Sequence, residues 1–208
     1  MDAITRVIWK KFGIRRGDEA PPFVGFASDN NRDTLAKLFS ELGFNSGAEI
    51  GVEKGHYSLV LCMANPNLKL KCIDPWLPFK AVTTRTEEES ERCYQSTIKR
   101  LTPYNVEIIR AKSLDAVRQI EDGSLDFVYI DGLHEFDGIM LDLITWAPKV
   151  RQGGIIAGHD FVGFYQCAVQ RAVYAYTAAH SIARWYVTRD RYPSFFWVNY
   201  QPKPYNVW

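Results

Sequence analysis

The apolar residues of this chain follow two alternating spacings. Short apolar runs of strand length, at residues 47–52, 68–73, 106–111, 125–130 and 155–157, are separated by segments whose apolar residues recur at helical spacing. The run at 125–130 is almost continuously apolar, as is typical of a parallel strand that is covered on both faces. This succession predicts five strand–helix units and therefore an α/β fold.

The end of the chain shows a different arrangement. A helix is predicted near residues 166–179, followed by two strands at about 184–188 and 194–200. The connection between these strands, residues 189–193, is too short for a parallel crossover, so they are expected to pair antiparallel. We therefore predict a Rossmann-like, doubly wound, mostly parallel seven-stranded sheet with an antiparallel hairpin at its C-terminal edge.

Residues 1–16 predict a short, basic amphipathic helix with Ile8 and Phe12 on its apolar side. Such a helix could lie on a membrane surface, but a helix that caps the domain or covers its active site is the favoured interpretation. Pro21 and Pro22, with the polar run at 28–32, predict a linker. We expect residues 1–30 to form a capping helix and linker, and residues 31–208 to form one domain.

Two helix starts are marked by capping residues. Thr86 and Glu89 have the spacing of a capping box, which predicts a helix that begins between them. Ser113 directly follows the third strand and is expected to be the N-cap of the next helix.

The bulk composition excludes several classes of partner. The net charge is +1 and the pI is about 7.7, so no overall field favours nucleic acid or an anionic membrane. No secretory signal opens the sequence, and its least charged region, residues 161–183, predicts a buried helix rather than a membrane span. The four cysteines are far apart and predict buried thiols in a reducing compartment, which indicates a cytoplasmic protein.

A glycine turn between the first strand and its helix is the first candidate site. Glu49, Gly51 and Gly55 lie where the backbone would bend tightly beneath a ligand and the helix would present its free N–H groups. A dinucleotide site would have a third glycine, and its pyrophosphate would be repelled by Glu49. A carboxylate here suits a cationic ammonium group, although an ordinary strand–helix turn with two glycines stays open.

Acidic and imidazole side chains gather at three further strand ends. Asp74 ends the second strand, where a carboxylate can accept hydrogen bonds from a ribose diol, or simply begin a turn before a proline. Asp131 and His134 follow the fourth strand, and His159 and Asp160 follow the fifth. Because the ends of parallel strands meet at one edge of the sheet, these four residues predict a metal or acid–base site.

These motifs resemble those of the class I S-adenosylmethionine (SAM)-dependent methyltransferases. The resemblance covers residues 35–179, and the segments around Asp131 to His134 and His159 to Asp160 look like those of small O-methyltransferases related to macrocin-type sugar O-methyltransferases and cephalosporin-hydroxylase-like proteins. Catechol O-methyltransferase is similar at a greater distance. The resemblance implies SAM as cofactor and a hydroxyl of a small molecule as acceptor, such as a sugar, a natural product or a catechol-like ring.

The resemblance also implies roles for individual residues. Glu49, Gly51 and Gly55 would frame the methionine end of SAM, Asp74 the ribose and Ser113 the adenine edge, with Asp131 beside the cofactor. Asp131, His159 and Asp160 would bind a divalent metal, and His134 would be the general base that deprotonates the acceptor hydroxyl. The related enzymes usually have Asp or Glu where this chain has His159, so Mn²⁺, Fe²⁺ or Zn²⁺ would be tolerated better than Mg²⁺, and loss of the metal stays open.

Two other functions remain as alternatives. One is a SAM-binding domain without catalysis, and the other, less favoured, is an NAD-dependent oxidoreductase. Five aromatic residues are expected near the mouth of the site, where they would receive a planar ring or a sugar face, or else serve as core or as contacts between copies in a homo-oligomer: Trp76, Phe79, Phe161, Tyr165 and Trp185.

Overall fold

A computed structural model describes residues 1–15, 20–80, 84–164 and 167–200 of the chain. The helices are α1 Ala3–Phe12, α2 Arg32–Glu41, α3 His56–Ala64, α4 Glu87–Leu101, α5 Ser113–Ala116, α6 Phe136–Trp146 and α7 Val169–Ala179. The strands are β1 Phe23–Val24, β2 Ser46–Ile50, β3 Lys69–Asp74, β4 Phe79–Lys80, β5 Thr84–Arg85, β6 Val106–Arg110, β7 Leu125–Ile130, β8 Val150–Gly158, β9 Trp185–Val187 and β10 Phe195–Val198.

One mixed sheet forms the centre of the fold, in the order β1-β9-β10-β8-β7-β2-β3-β6. Strands β8, β7, β2, β3 and β6 are parallel to their neighbours in this series, whereas β10 is antiparallel to both β8 and β9. The predicted α/β fold with a mostly parallel sheet and an antiparallel C-terminal hairpin is confirmed. All seven predicted strands are present, and the two-residue strand β1 pairs parallel to β9 as an eighth.

The sheet is covered on both faces. Side chains of β7 point alternately into two buried clusters: Phe127 and Tyr129 belong to one, and Val128 and Ile130 to the other. All four are fully buried. This arrangement explains the continuous apolar run that the sequence shows at this strand.

The N-terminal helix contributes to the same core. Ile8 and Phe12 are buried, and the ring of Phe12 lies 5.1 Å from that of Phe196 in β10. The chain after β1 is tied back to α1, because the N–H of Ala27 donates to the carbonyl of Phe12 at 3.1 Å. The apolar side of α1 is therefore used inside the fold.

The two capping predictions have different outcomes. Thr86 and Glu89 form the reciprocal capping box that begins α4, as predicted. The N-cap of α5 is Lys112, so the prediction for Ser113 is wrong by one residue. Its hydroxyl is instead bonded to α6, as a donor to Asp142 and an acceptor from Trp146 Nε1.

The four cysteines, Cys62, Cys72, Cys93 and Cys167, are buried free thiols, as predicted. Across the part of the chain that the structure describes, no helix combines the length and apolar character needed to cross a membrane.

Most of the aromatic residues expected at the site's mouth belong to the core. Trp76 is 2% exposed, and its ring lies 4.9 Å from that of Tyr94 in α4. Phe161 and Trp185 are buried, with ring centroids 5.5 Å apart. Of Phe79 only the backbone is described, and Tyr165 lies outside the described residues. For the three described rings the core interpretation is therefore correct.

Candidate active site

The turn after β2 brings two strand ends into close contact. Gly51 has φ +87°, and a Cβ built on it would lie 2.0 Å from the carbonyl oxygen of Asp131 after β7. Gly55, with φ +69°, is the N-cap of α3 and has no side chain to cap the helix. The first N–H groups of α3 thus remain available to a ligand.

Glu49 lies in β2 directly before this turn. It is 1% exposed and accepts a hydrogen bond from the hydroxyl of Ser58 in α3. Burial raises the pKa of Glu49 to about 8. The carboxyl is therefore protonated at neutral pH unless a cationic group lies beside it.

Asp74 ends β3 and holds the turn in shape. One of its carboxylate oxygens accepts from the N–H groups of Val52 at 3.0 Å and Glu53 at 2.9 Å, and the other accepts from the N–H of Trp76 at 2.7 Å. Trp76 closes the same turn, because its Nε1 donates to the carbonyl of Glu53 at 2.7 Å. A carboxylate accepts about four hydrogen bonds, so Asp74 keeps room for one hydroxyl.

The ends of β7 and β8 bring the four predicted acidic and imidazole side chains together. Nε2 of His134 lies 3.4 Å from Asp131 Oδ1 and 3.2 Å from Asp160 Oδ2. Nδ1 of His159 lies 3.3 Å from Asp160 Oδ1 and 3.6 Å from Asp131 Oδ2. Each carboxylate therefore lies between the two imidazoles.

Backbone hydrogen bonds fix these residues relative to the sheet. The N–H of Asp131 donates to the carbonyl of Ile50 at 2.7 Å, and that of His159 donates to Ile130 at 2.9 Å, which extends the parallel ladder past the strand ends. The carbonyl of His134 accepts from the N–H of Ala168 before α7 at 2.8 Å. The site is thus built on the rigid edge of the sheet.

Three of these side chains have the spacing of a metal site. One ligand atom each from Asp131, His134 and Asp160 can be chosen so that all three lie within 4.8 Å of one another. This group contains His134 where the sequence predicted His159. We term these three residues, Asp131, His134 and Asp160, the carboxylate–imidazole cluster.

The charges of the cluster and of His159 stabilise one another. The hydrogen bond to Asp131 raises the pKa of His134. Burial opposes ionisation of Asp131, yet its hydrogen bonds to the two imidazoles keep its pKa below the usual range. Burial likewise opposes protonation of His159, but its hydrogen bonds to Asp131 and Asp160 raise its pKa to about 9.

Arg32, which the sequence analysis missed, lies against this cluster. It begins α2, its NH1 lies 3.4 Å from Nε2 of His159, and its guanidinium carbon lies 5.2 Å from the centre of the Tyr57 ring. Its only sequence signal is a place in a polar run that predicts a linker. The contact with His159 depends on tertiary packing, which that run does not encode.

Unusual backbone angles gather at the same edge of the sheet. The described residues other than glycine with positive φ are Glu53, Trp76, Asp160 and Ser181. The first three lie at the ends of β2, β3 and β8, next to the glycine turn or within the cluster. Such conformations persist where the surrounding structure holds them in place, and they concentrate at functional sites.

Ser113 and the buried Asp142 form a hydrogen-bonded pair near this edge. Burial raises the pKa of Asp142 to about 6, against the hydrogen bond that it accepts from Ser113. The Ser113 hydroxyl already bonds to two residues of α6, and the Ser113 carbonyl accepts from the N–H of Val117, so we expect the predicted contact with an adenine ring to be made by the backbone N–H.

The strand order, the glycine turn and the cluster at the carboxyl edge together define a class I methyltransferase fold. Residues 48–161 match the family model described as a methyltransferase domain. The chain belongs to this family, so the sequence-based prediction is confirmed at the level of family and fold.

One curated protein that matches part of this chain is distant in sequence. The uncharacterized protein y4gI of Sinorhizobium fredii is 26% identical over 121 residues, which cover 54% of this chain but only 12% of that protein. The match is therefore confined to a small part of that relative.

Solved structures agree in fold. The O-methyltransferase TomG from Streptomyces achromogenes, described as involved in tomaymycin synthesis and in complex with SAM, superposes with a TM-score of 0.60 at 16% identity, covering 95% of this chain and 90% of that one. An O-methyltransferase from Bacillus cereus in complex with SAH gives 0.58 at 15% identity, covering 95% and 91%.

Proposed function

We propose that this protein is a SAM-dependent O-methyltransferase that acts on a hydroxyl group of a small molecule with the help of a divalent metal. The observation that carries the proposal is the convergence of the glycine turn and the carboxylate–imidazole cluster, where Gly51 lies directly against Asp131. Family membership and the SAM and SAH complexes of the similar structures support the choice of methyl donor.

The residues of the turn fit SAM. SAM supplies a methyl group on a sulfonium, which is a good leaving group. Glu49 is a buried carboxyl whose ionised form would be stabilised by the ammonium of the methionine end. The uncapped start of α3 would bind the carboxylate of that end, and Asp74 can accept one ribose hydroxyl beside the three N–H groups that it already binds. We propose, as the sequence predicted, that Ser113 contacts the adenine ring of SAM, and that its backbone makes this contact.

The cluster fits a divalent metal. Asp131 and Asp160 offer carboxylate oxygens as ligands, and an imidazole nitrogen of His134 lies within the same 4.8 Å. Hard oxygen ligands suit Mg²⁺ and Mn²⁺, and a nearby imidazole also allows Fe²⁺ or Zn²⁺. The metal would act as a Lewis acid and as a template for the acceptor hydroxyl.

The side chains at the site have separate roles in this proposal. Asp131 and Asp160 would hold the metal. His134 would accept the proton of the acceptor hydroxyl at Nε2, since that nitrogen faces the space between the two carboxylates. We assign His159 to orienting these carboxylates rather than to binding the metal. Its Nδ1 already faces both of them, and its Nε2 faces Arg32.

Methyl transfer from SAM to a panel of vicinal-diol sugars and catechols, with and without chelator, tests the proposal. We expect turnover that chelator abolishes and Mn²⁺ restores. A control variant at an exposed histidine at the end of α7, His180→Ala, should show the same turnover as the wild type. Full activity in chelator would remove the metal from the proposal. Binding of SAM without turnover of any hydroxyl would favour the non-catalytic alternative, and stabilisation by NAD instead of SAM the oxidoreductase.

A further inference from the structure

Asp142, a carboxylate in the middle of α6, leaves one of its two oxygens unused. The residue is 5% exposed, and its Oδ1 accepts the hydroxyl hydrogen of Ser113. Its Oδ2 makes no hydrogen bond with the described residues, and it is not among the unpaired side-chain atoms that the protein encloses completely. A ligand atom can therefore reach Oδ2. Buried carboxylates commonly have partners for both oxygens, so the free oxygen of Asp142 points to a ligand that donates a hydrogen bond.

This oxygen lies close to the glycine turn. A Cβ built on Gly132 would lie 3.4 Å from Asp142 Oδ2 and 3.6 Å from the side chain of Ile50, at the end of β2. Gly51 follows Ile50, and a Cβ built on Gly51 would lie 2.7 Å from the backbone nitrogen of Gly132. Asp142 and the turn therefore lie on two sides of Gly132, and no side chain separates them there.

An exposed apolar side chain lies on the same face of α6 as this carboxylate. Leu133 is 64% exposed, and a Cβ built on Gly138 would lie 2.7 Å from the Cβ of Leu133. Gly138 and Asp142 are four residues apart in α6, so they lie on one face of the helix, one turn from each other. Leu133 can thus cover one face of a planar ring whose edge reaches Asp142. A mainly apolar contact with a few fixed polar groups is typical of small-molecule sites.

The orientation of the Asp142 carboxylate is fixed by its neighbours. The hydroxyl of Ser113 accepts from Trp146 Nε1 at 2.8 Å and donates its single hydrogen to Asp142 Oδ1. Burial raises the pKa of Asp142 to about 6, so the carboxyl is ionised at pH 8. At that pH its Oδ2 can only accept a hydrogen bond.

We propose that Asp142 determines the base specificity of the cofactor site, because its Oδ2 accepts a hydrogen bond from the N6 amino group of the adenine ring of SAM. Adenine carries this donor beside the acceptor N1, and the N–H of Ser113, which is bonded to Asp142 through its hydroxyl, offers the donor that N1 requires. A base with an oxygen in place of N6 would bring two acceptors together and would be rejected. The inference rests on the proposed function for SAM as the ligand, but not for the metal, the acceptor or turnover.

Two analogues of SAH test this contact in the wild-type protein. The purine analogue lacks the N6 amino group and keeps N1, and the inosine analogue has an oxygen in place of N6. Isothermal titration calorimetry at pH 8 measures the affinity of each. We expect both to bind about 10- to 100-fold more weakly than SAH, because each loses a hydrogen bond to a charged acceptor. Equal affinities of SAH and the purine analogue would overturn the assignment.

Asp142→Asn should change the preference between bases. Ser113 still needs an acceptor for its hydrogen, so the amide oxygen should face Ser113 and the NH₂ group should replace Oδ2. SAH should then lose about 10- to 100-fold in affinity, whereas the inosine analogue should gain. Asp137→Asn, the same substitution at an exposed position in the first turn of α6, is the matched control and should keep the wild-type order. The wild-type order in Asp142→Asn would refute the role of Asp142.

Failure of this inference can be told apart from failure of the proposed function. The wild-type comparison decides the role of Asp142 even if Asp142→Asn does not fold. Binding of SAH without preference over the purine analogue would refute only this role. Discrimination between the bases without methyl transfer to any hydroxyl would support the role of Asp142 and remove the proposed activity, and absence of SAH binding would contradict both.

Discussion

The guanidinium of Arg32 lies 3.4 Å from Nε2 of His159, although 127 residues separate them in sequence. Arginine only donates hydrogen bonds, so the guanidinium favours the neutral form of His159, with Nε2 as acceptor and the proton on Nδ1, and opposes the doubly protonated form that the two carboxylates favour by raising the pKa of His159 to about 9. That Nδ1–H faces Asp160 at 3.3 Å and Asp131 at 3.6 Å. Arg32 thereby orients both carboxylates through His159.

Replacing Arg32 by leucine should weaken metal binding. Without the guanidinium, His159 can turn away and the two carboxylates lose their common donor. Loss of such an outer partner typically reduces metal affinity about 10- to 100-fold. Mn²⁺ titration followed by electron paramagnetic resonance measures the change. Arg151→Leu is the control. Arg151, like Arg32, lies over an aromatic ring, Phe44, and makes a polar side-chain contact, here with Asp126, but it lies at the opposite end of the sheet. Equal Mn²⁺ affinity in both variants would contradict the assignment.

Replacing His134 by glutamine distinguishes two possible roles of His134, general base and metal ligand. If Nε2 of His134 accepts the hydroxyl proton, kcat should fall by about 10²- to 10⁴-fold while Mn²⁺ affinity changes far less. The acidic limb of the pH–rate profile should also disappear. A loss of Mn²⁺ affinity as large as that of Asp131→Asn would show instead that His134 binds the metal.

Gly51→Ala and Gly43→Ala form a matched pair. Both glycines have positive φ, +87° and +72°, but a Cβ on Gly51 would lie 2.0 Å from a backbone oxygen, whereas one on Gly43 meets nothing within 4 Å. Gly43→Ala should cost about 1–2 kcal/mol from the backbone angle alone. Gly51→Ala should lower the free energy of unfolding by several times more. It should also weaken Mn²⁺ binding, because Asp131 must move. Urea unfolding measures both variants, and equal losses would mean that the close approach is absent.

Glu49 predicts a pH dependence of stability. Burial raises its pKa from 4.5 to about 8 in the folded protein. Its contribution to stability is therefore complete below about pH 4.5 and is lost as pH rises through about 8, by about 1.4 kcal/mol per pH unit in between. In urea unfolding without SAM, the free energy of unfolding of Glu49→Gln should increase relative to that of the wild type as pH rises across this window. Parallel stability curves for the two proteins would be inconsistent with a buried, protonated Glu49.

Local signals in the sequence predict most of the fold. The continuous apolar run of β7 reflects burial on both faces, and the capping box of Thr86 and Glu89 places the start of α4. The two-residue strand β1 escaped prediction because so short a segment has no period, and its pairing with β9 depends on a partner about 160 residues away.

The candidate site was predictable where it follows from strand ends. Asp131, His134, His159 and Asp160 all follow β7 or β8, and parallel topology alone brings such residues to one edge. Contacts between distant segments were not predictable in the same way. Arg32 approaches from α2. Trp76, which was expected at the mouth of the site or else in the core, packs beneath the turn through Glu53. Sequence spacing gives the positions of side chains along an element but not which distant segment covers them.

The central claim is that the methyl donor and a divalent metal lie side by side at the carboxyl edge of the sheet. Paramagnetic relaxation of the methyl resonance of ¹³C-methyl SAM, measured in the protein with Mn²⁺ and with diamagnetic Mg²⁺, tests this most directly. We predict strong broadening of the methyl signal by Mn²⁺ that is lost in Asp131→Asn and Asp160→Asn, while SAM still binds. A methyl resonance of bound SAM that Mn²⁺ leaves sharp would contradict the account.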